Sequence, residues 1–173
     1  MKGLRAVVVA AVLLVAAYLA YRYLLQPPRH TADTITVYYC KTDGETLLPW
    51  KVSLRQPLAR ESGVEYRKSV AFYAVAQTLA GPPSSVEAIR FPIGTVVHSV
   101  TFADSTAIVD LRGTIAHSTG GSFAESGEFK ALVWTLTALP GVTAVQIEID
   151  GSKVASLPGG HLELEQPLAR SSF

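Results

Sequence analysis

The sequence predicts an α+β domain behind a transmembrane helix, with two helices packed on one face of a mixed, largely antiparallel sheet. Three observations predict it. An uncharged apolar run opens the chain. Segments of period-2 and period-3.6 hydrophobicity then alternate as strand, weak strand, helix, two strands, helix and two or three strands. Cys40 is the only cysteine, which excludes an intrachain disulfide and every cysteine-based metal cluster, so the fold rests on apolar burial. The 173 residues, 49% hydrophobic and 17% charged, suffice for one well-packed domain but not for two plus an anchor.

From Ala6 to Tyr21 there is no charge, and Val7, Val8, Val9, Val12, Leu13, Leu14 and Val15 make the run apolar on every side. A spanning helix needs about 20 residues. That length is reached if Arg22 snorkels to the interface and Tyr23, Leu24 and Leu25 finish the span. Tyr18, Tyr21 and Tyr23 suit an aromatic belt, and Pro27 and Pro28 end the helix. Residues 1–25 are therefore expected to be an anchor, 26–33 a tether and 34–170 the domain. A cleaved signal peptide is the alternative, but Tyr18 and Leu19 ahead of Ala20 do not suit a small-residue cleavage site. Lys2 and Arg5 favour an inside N-terminus, opposed by Arg22 and Arg29 on the far flank, so the body is expected outside the cytoplasm. The body holds eleven basic and fourteen acidic residues, a net −3. Such a balance excludes the basic footprint of a nucleic-acid binder.

Within the body, Ile35, Val37 and Tyr39 alternate with Thr36, Tyr38 and Cys40 as in a strand, until Thr42, Asp43 and Gly44 break the pattern. A weaker strand is expected over about 50–55. Residues 65–80 read as a helix with Phe72, Val75, Ala76 and Leu79 on its core face, stopped by Gly81, Pro82 and Pro83. Residues 95–102 and 106–111 form a hairpin around Ala103, Asp104 and Ser105. Gly120, Gly121 and Ser122 lead into a second helix over 124–139, with Phe129, Leu132, Val133, Leu136 and Leu139 as its stripe and Pro140 and Gly141 at its end. Val145, Ile147 and Ile149 make a strand face; Asp150, Gly151 and Ser152 turn the chain, residues 154–157 return as hairpin partner, and 161–168 form a last strand.

Several of these fragments, taken together, resemble the GerMN (sporulation and spore germination) domain. They are Phe91-Pro92-Ile93-Gly94-Thr95, Ala107-Ile108-Val109-Asp110-Leu111, Val133-Trp134-Thr135-Leu136-Thr137-Ala138-Leu139-Pro140-Gly141-Val142 and Val145-Gln146-Ile147-Glu148-Ile149-Asp150-Gly151. The resemblance extends more loosely over 34–170. It implies a fold like the ring-building domains of secretion and sporulation machines, outside the cytoplasm, with no catalytic site. The signature residues Pro92, Gly94, Asp110, Leu111, Thr135, Leu136, Pro140, Gly141, Val142, Asp150 and Gly151 read physically as structural, setting turns, helix exit and core. A single copy of the domain and the lack of a lipid-attachment cysteine separate this chain from the family's best-known members.

Chemistry is sparse. His30, His98, His117 and His161 are scattered without ligand spacing, and His98 is expected within the sheet. His117, Ser118, Ser122 and Asp110 contain the residue types of a hydrolytic set, but no serine sits in a nucleophile elbow. Gly120-Gly121-Ser122 ahead of a helix invites an anion, but no P-loop lysine follows, and Glu125 and Glu128 in the first turn would repel it. Asp104 with Asp110, and Glu163 with Glu165, lack the ligand density of a calcium loop. No cofactor, metal or catalytic residue is expected. Trp134, off the helix stripe, and Trp50 are the residues offered for partner contact. The expected function is an envelope assembly module bound to lipid through its N-terminal helix and to itself or another envelope protein. The alternative is a small-molecule or glycan-binding sensor or hydrolase of the envelope.

Overall fold

A computed structural model describes residues 11–20, 34–54, 63–118 and 121–173. The chain divides into two units, Met1–Thr31 and Ala32–Phe173. In the first, residues 11–20 form helix α1 with every side chain exposed. Among the described residues no helix is long and apolar enough to cross a membrane. The rest of the expected anchor, 1–10 and 21–25, lies outside the described residues, as do the tether and His30.

The second unit runs β1 (Thr34–Cys40), β2 (Leu47–Ser53), α2 (Gly63–Ala80), β3 (Thr95–Ala103), β4 (Thr106–Gly113), α3 (Ser122–Thr137) and β5 (Ala144–Ile149). It holds two sheets where one was expected. β1 and β2 form an antiparallel hairpin; β3, β4 and β5 form a three-stranded sheet, antiparallel between β3 and β4 and parallel between β4 and β5. Parallel neighbours need a long crossover, and α3 supplies it.

The hairpin stays apart because other groups occupy the free edge of β1. Tyr38 N–H donates to Thr135 Oγ1 on α3 at 2.8 Å, and Ile89 N–H donates to the Cys40 carbonyl at 2.8 Å. β2 begins three residues before the expected position. The turn closes early: the Asp43 carboxylate accepts the Glu45 and Thr46 amides and the Thr46 hydroxyl at 2.9, 2.8 and 2.6 Å, so Leu47 already pairs with Cys40. Pro49, which cannot donate to a ladder, is accommodated because β2 is an outer strand.

The helices meet apolar surface on two sides. On α2, Val70 and Ala74 join Ile35, Val37 and Tyr39 of the hairpin, while Ala71 and Val75 join the main core with Val100, Val109 and Leu111. The buried face is therefore rotated from the expected one: Phe72 is 40% exposed, and Ala76 and Leu79 are only partly covered. On α3, Phe129, Leu132, Val133 and Leu136 fill the main core as expected. Its other side carries Gly127, Ala131 and Thr135 at spacing four, all buried. A Cβ at Gly127 would collide with the Ile89 side chain and stand 3.4 Å from Cys40 Sγ, so the small residue here leaves room for Ile89 as well as β1 against the helix.

The two expected C-terminal strands are absent. Residues 154–157 and 161–168 form no ladder; the isolated bridges of β5 are Ile149–Ser152, in the turn ahead of the first segment, and Val145–Leu168. Their apolar alternation arises because Leu157, Leu164 and Leu168 are core residues, while Pro158, Gly159, Gly160 and Pro167 prevent regular pairing. The segment still shields the outer edge of β5: Val145 and Leu168 exchange two bonds of 2.8 Å, and the buried Gln146 amide donates to the Leu164 carbonyl at 2.9 Å.

Thr135 is where β1, α2 and α3 meet, since its hydroxyl is also hydrogen-bonded to that of Thr78 at 3.3 Å. Thr135→Val preserves shape and strands the Tyr38 amide, so the unfolding free energy should fall by roughly 1–3 kcal/mol. Thr135→Ser keeps the hydroxyl acceptor and should recover most of that loss. Urea midpoints at unchanged slope measure both, and equal midpoints for Thr135→Val and the parent would refute this role.

Candidate functional site

Of the α2 stripe that the sequence assigns to the core, Val75 is buried there, but Ala76 and Leu79 form one wall of an open groove. Ala76 and Leu79 face Phe91, Ile93 and Val97 across a space of about 630 Å³, with Arg90 as its one ionisable wall residue. Arg90 donates to the carbonyls of Pro82, Pro83 and Val86 at 2.8, 3.1 and 3.3 Å, which fixes the loop beyond α2. Ile93, 98% exposed, lies just ahead of β3, the outer strand of its sheet, and Val96 within β3 is 53% exposed. Phe72, one turn from Ala76 on the same face, extends the apolar surface.

Of the signature residues, Pro92 and Gly94 line this groove, and the others set turns and core packing elsewhere in the domain. Gly94 has φ +94°, and a Cβ on it would stand 2.6 Å from Thr114 Oγ1; Thr95 N–H closes the turn onto the Pro92 carbonyl at 3.0 Å. Asp110, buried at the end of β4, accepts Arg112 Nε and Nη2 at 3.1 and 3.0 Å through Oδ2, and the Gly151 amide at 2.8 Å through Oδ1. That pins the Asp150-Gly151 turn, where the Asp150 amide also bonds the Leu111 carbonyl at 3.1 Å. At the exit of α3, past Pro140, the Gly141 carbonyl accepts Arg67 Nη2 at 2.9 Å, while the Arg67 guanidinium lies 3.9 Å over the Phe102 ring. Leu136 and Val142 are buried in the main core.

The remaining candidates are dispersed. His98, expected within the sheet, is exposed, because it shares the outward-facing side of β3 with Val96. His117 and His161 are exposed, as are Asp104, Glu163 and Glu165. Asp110 is committed to Arg112 and Gly151, and no hydrogen bond among the described residues joins it to His117 or Ser122. Gly120 lies outside the described residues. Trp134 is half-buried by its own chain: Phe173 meets it edge-on at 6.1 Å, and Arg170 and Lys130 sit 5.5 and 5.9 Å over its ring. Trp50, on β2, is 41% exposed.

Glu125 and Glu128 depart from the sequence reading. They are 4% and 6% exposed, where the sequence reading placed both as first-turn charges that would repel an anion. α3 starts at Ser122, so only Glu125 is in the first turn, and both side chains point under the loop at 157–160. Glu125 Oε2 accepts the His161 amide at 3.0 Å. Burial, reinforced by the neighbouring Glu125 charge, pushes the Glu128 carboxyl up to about 7. No spacing rule marks the pair, because a carboxylate at a helix start is ordinarily a surface feature.

The layered fold and its turn-setting polar residues define a small α+β domain of the GerMN type. Residues 36–155 match the family model Germane, described as sporulation and spore germination, and the chain belongs to that family. Among solved structures it is similar to the tandem GerMN domains of the sporulation protein GerM from Bacillus subtilis (TM-score 0.61, 20% identity), covering 80% of this chain and 46% of that one. The chain thus spans less than half of that protein. It is also similar to the first GerMN domain of the same protein (TM-score 0.60, 20% identity, 80% and 98% covered). A third likeness is to a Clostridium perfringens protein described as a lipoprotein (TM-score 0.56, 18% identity, 80% and 87% covered). At these identities the likeness establishes the fold alone. No curated protein matches the chain.

A carboxyl whose pKa is higher folded than unfolded favours folding when protonated. The folded chain then binds more protons than the unfolded chain between about 4.5 and about 7, and stability falls with rising pH across that window. This loss should be on the order of 2–3 kcal/mol. Glu128→Gln should flatten the dependence and be the more stable form above pH 7. Urea midpoints from pH 4 to 8 measure it, and identical slopes for the two proteins would remove Glu128 as the cause.

Proposed function

We propose that this chain is a membrane-anchored, extracytoplasmic binding module of the cell envelope. It associates with itself or with another envelope protein, performs no catalysis, and serves the sporulation or germination setting that its family's description names. The observation that carries this reading is the apolar surface made by the exposed Phe72 and the partly covered Ala76 and Leu79 of α2, beside Ile93 and Val96 at the outer edge of β3. Contiguous exposed apolar surface marks contact sites, and an unpaired strand edge offers main-chain donors and acceptors to a partner. Anchoring is supported by the uncharged run from Ala6 to Tyr21 and by α1, where Val12, Leu13, Leu14 and Val15 stay 58–72% exposed, side chains that lipid would cover.

A small-molecule or glycan site is the second reading, because the groove volume of about 630 Å³ falls among ligand pockets. Such a site needs converging polar groups, and Arg90, its one ionisable wall residue, is already engaged by three carbonyls.

Ile93→Cys in the full chain in membranes tests the leading reading, with the buried Cys40 as a silent background. Thiol crosslinking should trap an adduct with a second copy or another envelope protein. Ile93→Asp should weaken that association while changing folding stability by less than about 0.5 kcal/mol, as expected for an exposed position. A strictly monomeric pattern would defeat the proposal.

A further inference from the structure

We infer that the pocket between the start of α3 and the loop at 157–160 is a calcium site, with Glu125 and Glu128 as its charged ligands. The two glutamates stand three residues apart on one helix face. With Ser118, Gly121, Leu157 and Gly160 they line a pocket of about 10 Å³, room for a single small occupant. Glu125 uses Oε2 for the His161 amide, but its Oε1 is buried with no partner. The ion pairs among the described residues, Lys68–Glu65 and Arg112–Asp110, lie elsewhere, so no described basic side chain forms an ion pair with either glutamate.

Two carboxylates withdrawn from water without a counter-charge are costly, and the unpartnered oxygen marks where a positive charge is required. The loop is pressed onto the acid: a Cβ at Gly160 would collide with the Glu125 carboxylate, so a side chain there would occupy the space.

The donor chemistry selects the ion. The donor side chains on the walls are two carboxylates and the Ser118 hydroxyl, with no thiol or imidazole. Zinc and copper sites use nitrogen and sulfur, which are missing here. Magnesium dehydrates reluctantly, usually keeps several waters and demands near-ideal octahedral geometry. Calcium accepts bidentate carboxylates and carbonyls in flexible geometry, and two bidentate glutamates supply four of its roughly six to eight oxygens. Occupation would fasten the 157–161 loop to the start of α3, independently of what the groove at α2 and β3 binds.

The test uses the full chain in detergent, stripped with EDTA and held at pH 8, titrated with calcium chloride while the thermal midpoint and the heat of binding are followed. Calcium should raise the midpoint by several degrees with saturation at one ion per chain, and magnesium at equal concentration should not. Glu128→Gln and Glu125→Gln should each abolish the shift, and Glu163→Gln, on an exposed residue, should keep it. If Glu125→Gln does not fold, Glu128→Gln decides alone. The absence of any calcium-dependent shift in the parent, or an undiminished shift in Glu128→Gln, would overturn the site.

Discussion

The burial of α3 on two opposite sides is the constraint on which the rest of the domain depends. A helix covered once needs one apolar stripe; α3 is covered by the three-stranded sheet on one side and by β1 on the other. The sheet side takes the large residues Phe129, Leu132, Val133 and Leu136. The β1 side takes Gly127, Ala131 and Thr135, because an extended backbone must come close enough for the Tyr38 amide to reach a hydroxyl. With its free edge satisfied there, β1 has no call for a further strand, and the hairpin remains a separate layer.

Polar residues inside this framework hold chain reversals. Asp110, buried and fully engaged, ties the end of β4 to the turn after β5. Arg67 does the same for the exit of α3 and the β3–β4 turn, whose Asp104 carbonyl it also reaches at 3.5 Å. These groups are spent on one another and on the main chain, which is why the family signature traces a fold more than a chemistry.

Much of this was legible in the sequence, and the failures have physical causes. β1, the β3–β4 hairpin, α3 and β5 follow from clean periodicity bounded by turn residues, and each lies within a few residues of its expected place. Residues 154–168 misled because alternation reports which side chains are buried, and an irregular segment can bury Leu157, Leu164 and Leu168 as well as a strand can. On α2, the larger side chains of Phe72 and Leu79 suggested the wrong face, since the buried face uses alanines to fit between two layers. The Glu125–Glu128 pocket was invisible because it depends on a loop some thirty residues further along the chain folding over the helix.

The distribution of strand edges also constrains symmetry. β1 is occupied by α3 and Ile89, β2 is interrupted by Pro49, and β5 is shielded by the C-terminal segment. That leaves β3 as the open edge among the described strands. Edge-to-edge pairing through one such strand is isologous: two copies meet about a dyad, consume both edges and stop. Closure into a larger cycle, or growth into a filament, would require β3 or the adjoining groove of one subunit to engage a different face of the next.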